Sequence, residues 1–383
     1  MEPSFWFLIF LIVYCYFGYP LILGLLGRWG RPVRKGDDLP PVSLVISVHN
    51  EEDVIHAKLK NLLSLDYPRD KLEILIGSDG SSDQTDTIIA SLRDPRVKLF
   101  ANPQRRGKMT TINELVQRAG NGIIVFADAR QLFDDDAVKK LVANFADETV
   151  GCVSGELMLS KKENPTSQGI NLYWNYEKWL RSRESRIHSM LGATGAIYAI
   201  RKELFTPVPS NIVLDDMYVP LKIVEKGYRA IFDETAKAYD EVAESSREEH
   251  TRKARTLFGN YQIFGVFLNL FNPFRSPVAI QLFSHKFLRV VVPFLMIAVF
   301  LLNLGLLHKD LYRPVFVLQL LFYAMAVLGC LSRHEKYGIF RAVSKVCYVP
   351  YVFCLLNFSA LAGFFKFAGA RQDIAWQKAR KQK

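Results

Sequence analysis

The sequence predicts an α/β domain on a mostly parallel sheet, framed by apolar helices of membrane length. Three observations carry this expectation. Short β-branched apolar runs alternate with helix-patterned segments between Val42 and Ala127, the pattern of βαβ units in a right-handed parallel sheet. Acidic residues close two of these runs, at Asp79 and Asp128, and a third acidic station stands at Asp215-Asp216. Long, nearly uncharged apolar stretches lie on either side of the block.

The elements follow in order. Phe5 to Leu26 is apolar and free of charge, long enough to cross ~30 Å of hydrocarbon. A secretory leader would want a basic start and a shorter apolar core. Here Glu2 is the sole charge before the run, and Arg28, Arg31, Arg34 and Lys35 follow it. Those flanks predict a retained span with its amino terminus outside and the next block in the cytosol. After a Pro-containing linker, Val42 to Val48 reads as a buried strand. A helix from Glu52 to Leu65 stops before Asp66-Tyr67-Pro68, because Pro disfavours helix in the residue ahead of it. Leu72 to Gly77 and Arg96 to Phe100 read as strands, with a helix from Gln84 to Leu92 between them. Lys108 to Arg118 reads as a helix and Gly122 to Ala127 as a fourth strand.

The second half of the block is more mixed. Val150 to Leu159 reads as a strand and Asn171 to Ile187 as an aromatic, basic helix. Ala193 to Ile200 reads as a strand after a Gly-rich turn, and Asp216 to Glu225 as a helix. Phe258 to Phe274 reads as an interfacial helix. Spans follow at Leu288 to Leu307, Pro314 to Leu331 and Val346 to Phe365. The last contains Pro350, Asn357, Ser359 and Gly363, and four full spans would leave a strongly basic tail outside, against the positive-inside rule. A re-entrant or interfacial segment is therefore the alternative there. The expected organisation is a span at 1–27, a basic linker at 28–40, the α/β domain at 41–255, interfacial helices at 256–287, transmembrane or re-entrant segments at 288–365, and a basic tail at 366–383.

Composition excludes several classes. The formal net charge is +11, but much of the basic excess borders apolar segments, which suits anionic membrane lipid. The soluble block has no basic stripe with interleaved aromatics, so nucleic acid is not an expected partner. Five cysteines without a CxxC spacing give neither a zinc site nor a disulfide frame. Neither GxxxxGK[ST] nor GxGxxG is present, which argues against a P-loop enzyme and a dinucleotide-dependent oxidoreductase.

Each motif has a plain reading beside a chemical one. Ser78-Asp79-Gly80-Ser81-Ser82-Asp83 makes a good turn, yet Asp79 could also accept hydrogen bonds from a base or ribose. Arg105-Arg106-Gly107-Lys108 is a solvated basic turn or a diphosphate site at a helix start. Asp128-Ala129-Arg130 caps an element or serves a nucleotide diphosphate and a hard metal. Asp134-Asp135-Asp136 opens a helix, stabilised by its dipole. Gly192-Ala193-Thr194-Gly195-Ala196 is small-residue packing or a close backbone approach. Leu214-Asp215-Asp216 is an N-cap, for which one Asp suffices, or a pair that supplies a general base. Arg252-Lys253-Ala254-Arg255 is a lipid-facing cluster or a clamp on a leaving diphosphate.

Taken in this order, the motifs resemble those of the membrane-embedded, polysaccharide synthase-like branch of the family-2 glycosyltransferases. The matching residues are Val48 to Glu52, Ser78 to Asp83, Gly107-Lys108, Asp128, Gly192 to Tyr198, Asp215-Asp216 and Arg252 to Arg255. The resemblance implies a GT-A fold, Rossmann-like and mostly parallel, and inverting transfer from a nucleotide-sugar, most often a UDP-sugar. It implies that Glu51 and Asp79 contact the nucleoside and Lys108 the diphosphate. Asp128 matches the first Asp of DxD, serving ribose and a divalent cation, Mg²⁺ or Mn²⁺. Asp216 matches the general base, with Asp215 its neighbour, and Arg255 the arginine of QxxRW. Arg130 and Arg252 fall at donor-side positions, and Gly192, Thr194 and Gly195 at the acceptor side. Two departures stand out: Arg130 replaces the second acid of DxD, and Arg252 and Thr256 replace the Gln and Trp of QxxRW.

The expected activity is sugar transfer to a lipid-linked or growing glycan at the cytosolic face of the plasma (inner) membrane, in surface or extracellular polysaccharide synthesis, with export or assembly partners possible in principle. Two alternatives stay open: a processive synthase that translocates its polymer, and an inactive nucleotide-sugar-binding assembly subunit.

Overall fold

The computed structural model describes residues 1–159, 165–240, 246–332 and 339–369, with side chains omitted at 165–173, 246–254, 332 and 339–345. The soluble block alternates as its sequence pattern requires. Strand β1 (Val42–Val48) leads to helix α1 (Glu52–Leu63), β2 (Leu72–Asp79) to α2 (Thr85–Ser91), and β3 (Val97–Asn102) to α3 (Lys108–Arg118). Strand β4 (Ile123–Ala127) is followed by the two-residue β5 (Leu132–Phe133) and α4 (Ala137–Ala143). Then come β6 (Val150–Leu159), α5 (Pro165–Ile187), β7 (Ile197–Arg201), α6 (Asp215–Glu225) and β8 (Arg229–Asp240).

These strands form one sheet in the order β3-β2-β1-β4-β7-β6-β8-β5. Four of its seven pairings among the described residues are parallel, and the antiparallel ones all involve β7 or β5. In the parallel half Val48 lies beside Ser78, and Ile46 beside Ala127. The carboxyl ends of β1, β2 and β4 therefore share one edge, where α/β sheets bind ligands. Alternate residues feed two cores. Val45, Ile124 and Phe126 pack with α3, α6 and the helix beyond β8. Leu44, Ile46, Val125 and Ala127 pack with α1 and α4 on the other face, as the period of two dictates.

The structure departs from the sequence reading in four places. Strand β8 is not legible as an alternating run, because Asp233-Glu234-Thr235 interrupts it. Asp233 Oδ1 accepts from the Thr235 amide and hydroxyl at 3.0 and 2.6 Å, and the β6–β8 register shifts there. Residues 193–196 form a turn rather than the start of β7, since the Ala193 and Thr194 amides are drawn to Asp216 O and Ser154 Oγ. The aromatic stretch expected from Phe258 is the second half of a longer helix, α7 (Ser246–Val266), followed by a short turn at Leu268–Phe271. The boundary read at 255/256 thus falls inside one helix.

Among the described residues, four helices are long and apolar enough to cross a membrane: Glu2–Leu26, Ala279–Gly305, Tyr312–Leu331 and Val346–Ala368. The last belongs to a single helix, Ile339–Ala368, that continues through Pro350. Two of its polar side chains bond back to the helix's own carbonyls: Asn357 Nδ2 donates to Phe353 O at 2.9 Å and Ser359 Oγ to Leu355 O at 2.8 Å, an arrangement that suits an apolar surrounding. The basic tail from residue 370 onward lies outside the described residues.

Candidate active site

The site begins where β1 and β2 end. Asn50 takes a left-handed φ of 52°, a conformation that Asn tolerates better than most residues. From there its Oδ1 accepts from the Ser82 amide at 2.7 Å, and its own amide donates to Ser81 Oγ at 3.1 Å. His49 Nδ1 lies 2.9 Å from Asp79 O. The Glu51 amide donates to Thr85 Oγ1 at 2.8 Å, and the residue is buried. The first two loops are thus stitched together.

Asp79 extends the stitching to the third loop. Its Oδ1 accepts from the Arg106 amide at 2.7 Å and its Oδ2 from the Gly107 amide at 2.9 Å. The carboxylate therefore shapes the turn ahead of Lys108, and each oxygen keeps a second lone pair. Gly80 at φ +68° needs both its conformational freedom and its missing side chain, because a Cβ there would lie 2.6 Å from Arg105 N. Gly107 at φ +95° turns the chain into α3, in a space where a Cβ would touch nothing.

Lys108, the first residue of α3, joins two acidic stations. Its Nζ lies 3.1 Å from Asp128 Oδ1 and 3.4 Å from Asp215 Oδ2. Burial opposes its charge, yet Asp128, then Asp215 and Asp216, hold the ammonium above its ordinary value. Asp128 stands in the bend after β4 and is 39% exposed at its side chain, whereas Asp215 is 11% exposed. Arg130 lies two residues along the same bend, half-buried.

Asp215 and Asp216 open α6, where the first-turn amides favour carboxylates. Burial, and after it the charge of Asp215, raises Asp216 to about 6, while Lys108 and Arg181 pull the other way. The Gly192–Gly195 turn lies against this pair. The Ala193 amide donates to Asp216 O at 2.7 Å, and a Cβ on Gly195 would sit 3.4 Å from Asp216 Oδ2. Thr194 is fixed by its amide to Ser154 Oγ at 2.8 Å. Arg255, on α7, is depressed by burial and faces the charges of Asp215, Asp216 and Asp128. Thr256 beside it is exposed. Arg252 lies on the same helix, at a position whose side chain is outside the described set.

Asp128, Asp215, Asp216, Lys108, Arg255 and the 192–195 turn thus converge, whereas Glu51 and Asp79 stand one loop away, connected through the 105–107 turn. Two residues of this neighbourhood were not anticipated. Lys58 is fully buried on the apolar face of α1. Its Nζ donates to Gln131 O at 2.5 Å and lies 4.2 Å from the Phe133 ring centroid. Burial pushes its ammonium down to about 7, with Asp128 opposing. The signal was a Lys at a core position between Ile55, Leu59 and Leu62. The second is Arg181, whose NH1 donates to Thr194 Oγ1 at 3.1 Å.

Carboxylates at the carboxyl edge of a mostly parallel sheet, with a lysine between them, make an arrangement suited to a phosphate-bearing ligand. Comparison with known proteins gives the class. Residues 43–206 match the profile of "Glycosyl transferase family 2". The chain is 24% identical over 282 residues to the poly-beta-1,6-N-acetyl-D-glucosamine synthase of Staphylococcus aureus strain MSSA476, covering 72% of this chain and 67% of that protein. It is 25% identical over 314 residues to the probable glycosyltransferase YdaM of Bacillus subtilis strain 168, covering 78% and 73%. Among solved structures, the mannosyltransferase PcManGT of Pyrobaculum calidifontis, described in complex with GDP-Man and Mn²⁺, matches with a TM-score of 0.70 over 96% of this chain and all of that one, at 22% identity. Residues 43–206 thus form a glycosyltransferase family 2 domain, the fold is GT-A, and the enzyme class is glycosyltransferase.

Proposed function

We propose that this protein moves a sugar, with inversion, from a nucleotide-sugar to a lipid-linked or growing glycan acceptor at the cytosolic face of a membrane. The observation that carries the reading is Lys108 held between Asp128 and Asp215, with Asp216 beside them and raised to about 6. Such a group is ionised at neutral pH and still basic enough to take a proton. The acceptor oxygen attacks the anomeric carbon, its proton passes to Asp216, and the bond to the diphosphate oxygen breaks. Lys108 and Arg255 face the charge that builds on the departing diphosphate. Asp79 shapes the loop that presents Lys108, and Glu51 closes the nucleoside side.

A divalent cation fits this arrangement. Among the described residues no cluster of three or more His, Cys, Asp or Glu could hold a metal. Mg²⁺, however, is commonly bound through one or two carboxylates and substrate phosphates, and Asp128 supplies one such carboxylate. When bound, the cation would neutralise diphosphate charge, and Arg130 places a second positive charge in the same bend. The solved relative described with GDP-Man and Mn²⁺ supports this reading.

A processive synthase is the second reading, favoured by the similarity to a poly-N-acetylglucosamine synthase. The exposed Thr256, where processive relatives are expected to stack a Trp on the acceptor, favours short additions. The test is the full-length protein in lipid nanodiscs with a panel of UDP- and GDP-sugars and membrane lipid extract. Nucleoside diphosphate release with a product one sugar larger supports single transfer. A high-mass ladder supports the processive reading, and no release under any condition refutes both.

A further inference from the structure

Helix α5 joins the membrane-spanning helices to the catalytic turn through one line of charges. Glu177, Arg181 and Glu184 are four and three residues apart, so they share a face. The two carboxylates are buried, and His285 bridges them from the helix Ala279–Gly305. Its Nδ1 lies 2.7 Å from Glu184 Oε1 and its Nε2 3.1 Å from Glu177 Oε2. Tyr19, from the first apolar helix, donates to Glu184 Oε1 at 2.7 Å, and Arg289 donates to Glu177 Oε1. Gln281 Nε2 donates to Ser189 O at 3.2 Å, just beyond the end of α5. Buried charges are a poor source of stability compared with apolar packing. What such a lock does supply is a fixed register, here of α5 against two membrane helices.

Arg181 lies between the two locked carboxylates in sequence, on the same face of α5. It donates to Thr194 Oγ1, in the turn whose Ala193 amide holds Asp216 O and whose Gly195 leaves room for the Asp216 carboxylate. We propose that Arg181 is a positioning residue for Asp216. It holds the Gly192–Gly195 turn against that carboxylate, and the Glu177–His285–Glu184 lock holds Arg181 in place from the membrane side. The inference rests on the base role proposed above for Asp216. Other charges also face Asp216: Asp215 from α6, Lys108 from α3, Asp128 from the β4 bend and Arg255 from α7. The Tyr198 hydroxyl, on β7, faces it too. Arg181 is the cation in this set that approaches through the acceptor-side turn. Its loss is therefore expected to affect transfer and not donor binding.

The test uses the full-length protein in nanodiscs, with UDP and GDP as binding probes and the sugar-nucleotide panel for turnover. Arg181→Met is expected to lower kcat by 10-fold or more and to move the acid limb of the kcat profile to higher pH. Affinity for the nucleoside diphosphate should stay within about twofold. Arg181→Lys should recover part of the turnover. Should Arg181→Met not fold, Thr194→Val removes the same hydrogen bond and is judged by the same kcat and affinity readouts. Unchanged kcat and pH profile, or nucleotide affinity lost in parallel, overturns the proposal. Asp216→Asn serves as the reference. If it keeps full turnover, the base reading has failed. If it is inactive while Arg181→Met behaves like the unaltered protein, only the present inference has failed.

Discussion

Asp216 sits where catalysis and stability pull in opposite directions. Its value of about 6 is raised by burial and by Asp215. As a base it must be ionised, so turnover should fall as pH drops through about 6, and a kcat profile flat down to pH 5 would reject the assignment. The stability consequence has the opposite sense. A carboxyl whose folded value exceeds its unfolded value of about 3.9 favours the fold when protonated, and that contribution is lost as pH rises from about 4 through about 6. Asp216→Asn should therefore abolish transfer, keep donor binding, and raise the melting temperature at pH 7.5. Thermal unfolding across pH should show the gain shrinking toward pH 4. Asp79 gives a contrasting expectation. Asp79→Ala leaves the Arg106 and Gly107 amides without their acceptor, so the turn ahead of Lys108 loosens. Calorimetry should show nucleoside diphosphate affinity reduced about 10-fold or more, in line with ~1.5–3 kcal/mol for hydrogen bonds to a charged group. Unchanged affinity would remove Asp79 from the donor side.

At the scale of elements, α7 is seated directly on the approach to the acidic helix. Gly259 allows this, since a Cβ there would lie 2.5 Å from Leu214 Cγ, and Leu214 immediately precedes Asp215. Gly259→Ala should cost about 1–3 kcal/mol through overpacking and lower kcat by shifting the Asp215-Asp216 pair. Gly265, on the same helix, is the control, because a Cβ there would meet no atom within 4 Å. Gly265→Ala should leave turnover unchanged and the melting temperature equal or higher. Equal behaviour of the two variants would show that the packing of α7 does not set the site.

At the scale of the whole molecule, the soluble domain packs on the apolar helices through α5 and α7. In the function proposed above, the first and third loops present the donor side and α6 with the 192–195 turn the base, and α7 and α5 connect both to the apolar helices. The cation distinguishes between two ways of neutralising charge across the site. Chelation by EDTA in nanodiscs should suppress transfer, with recovery on adding Mg²⁺ or Mn²⁺. Full turnover in chelator would mean that Lys108, Arg130 and Arg255 carry the diphosphate charge without it.

The sequence by itself determined the alternating α/β class, the parallel half of the sheet, the four apolar helices and the order of the acidic stations. Those features are written locally, in periods of two and 3.6, in turn residues, and in uncharged runs of membrane length. It left β8 hidden, because a polar Asp-Glu-Thr break erased the alternation that a strand normally displays. Tertiary structure alone decided that Lys108 would stand between Asp128 and Asp215, 20 and 107 residues away along the chain. It also decided that Arg181 would reach the 192–195 turn from α5, and that Lys58 on α1 would bond Gln131 O, three residues past Asp128. Such contacts depend on which faces meet across the sheet, and a lysine on an apolar helical face or an arginine between two glutamates carries no mark of its partner until the helices are packed.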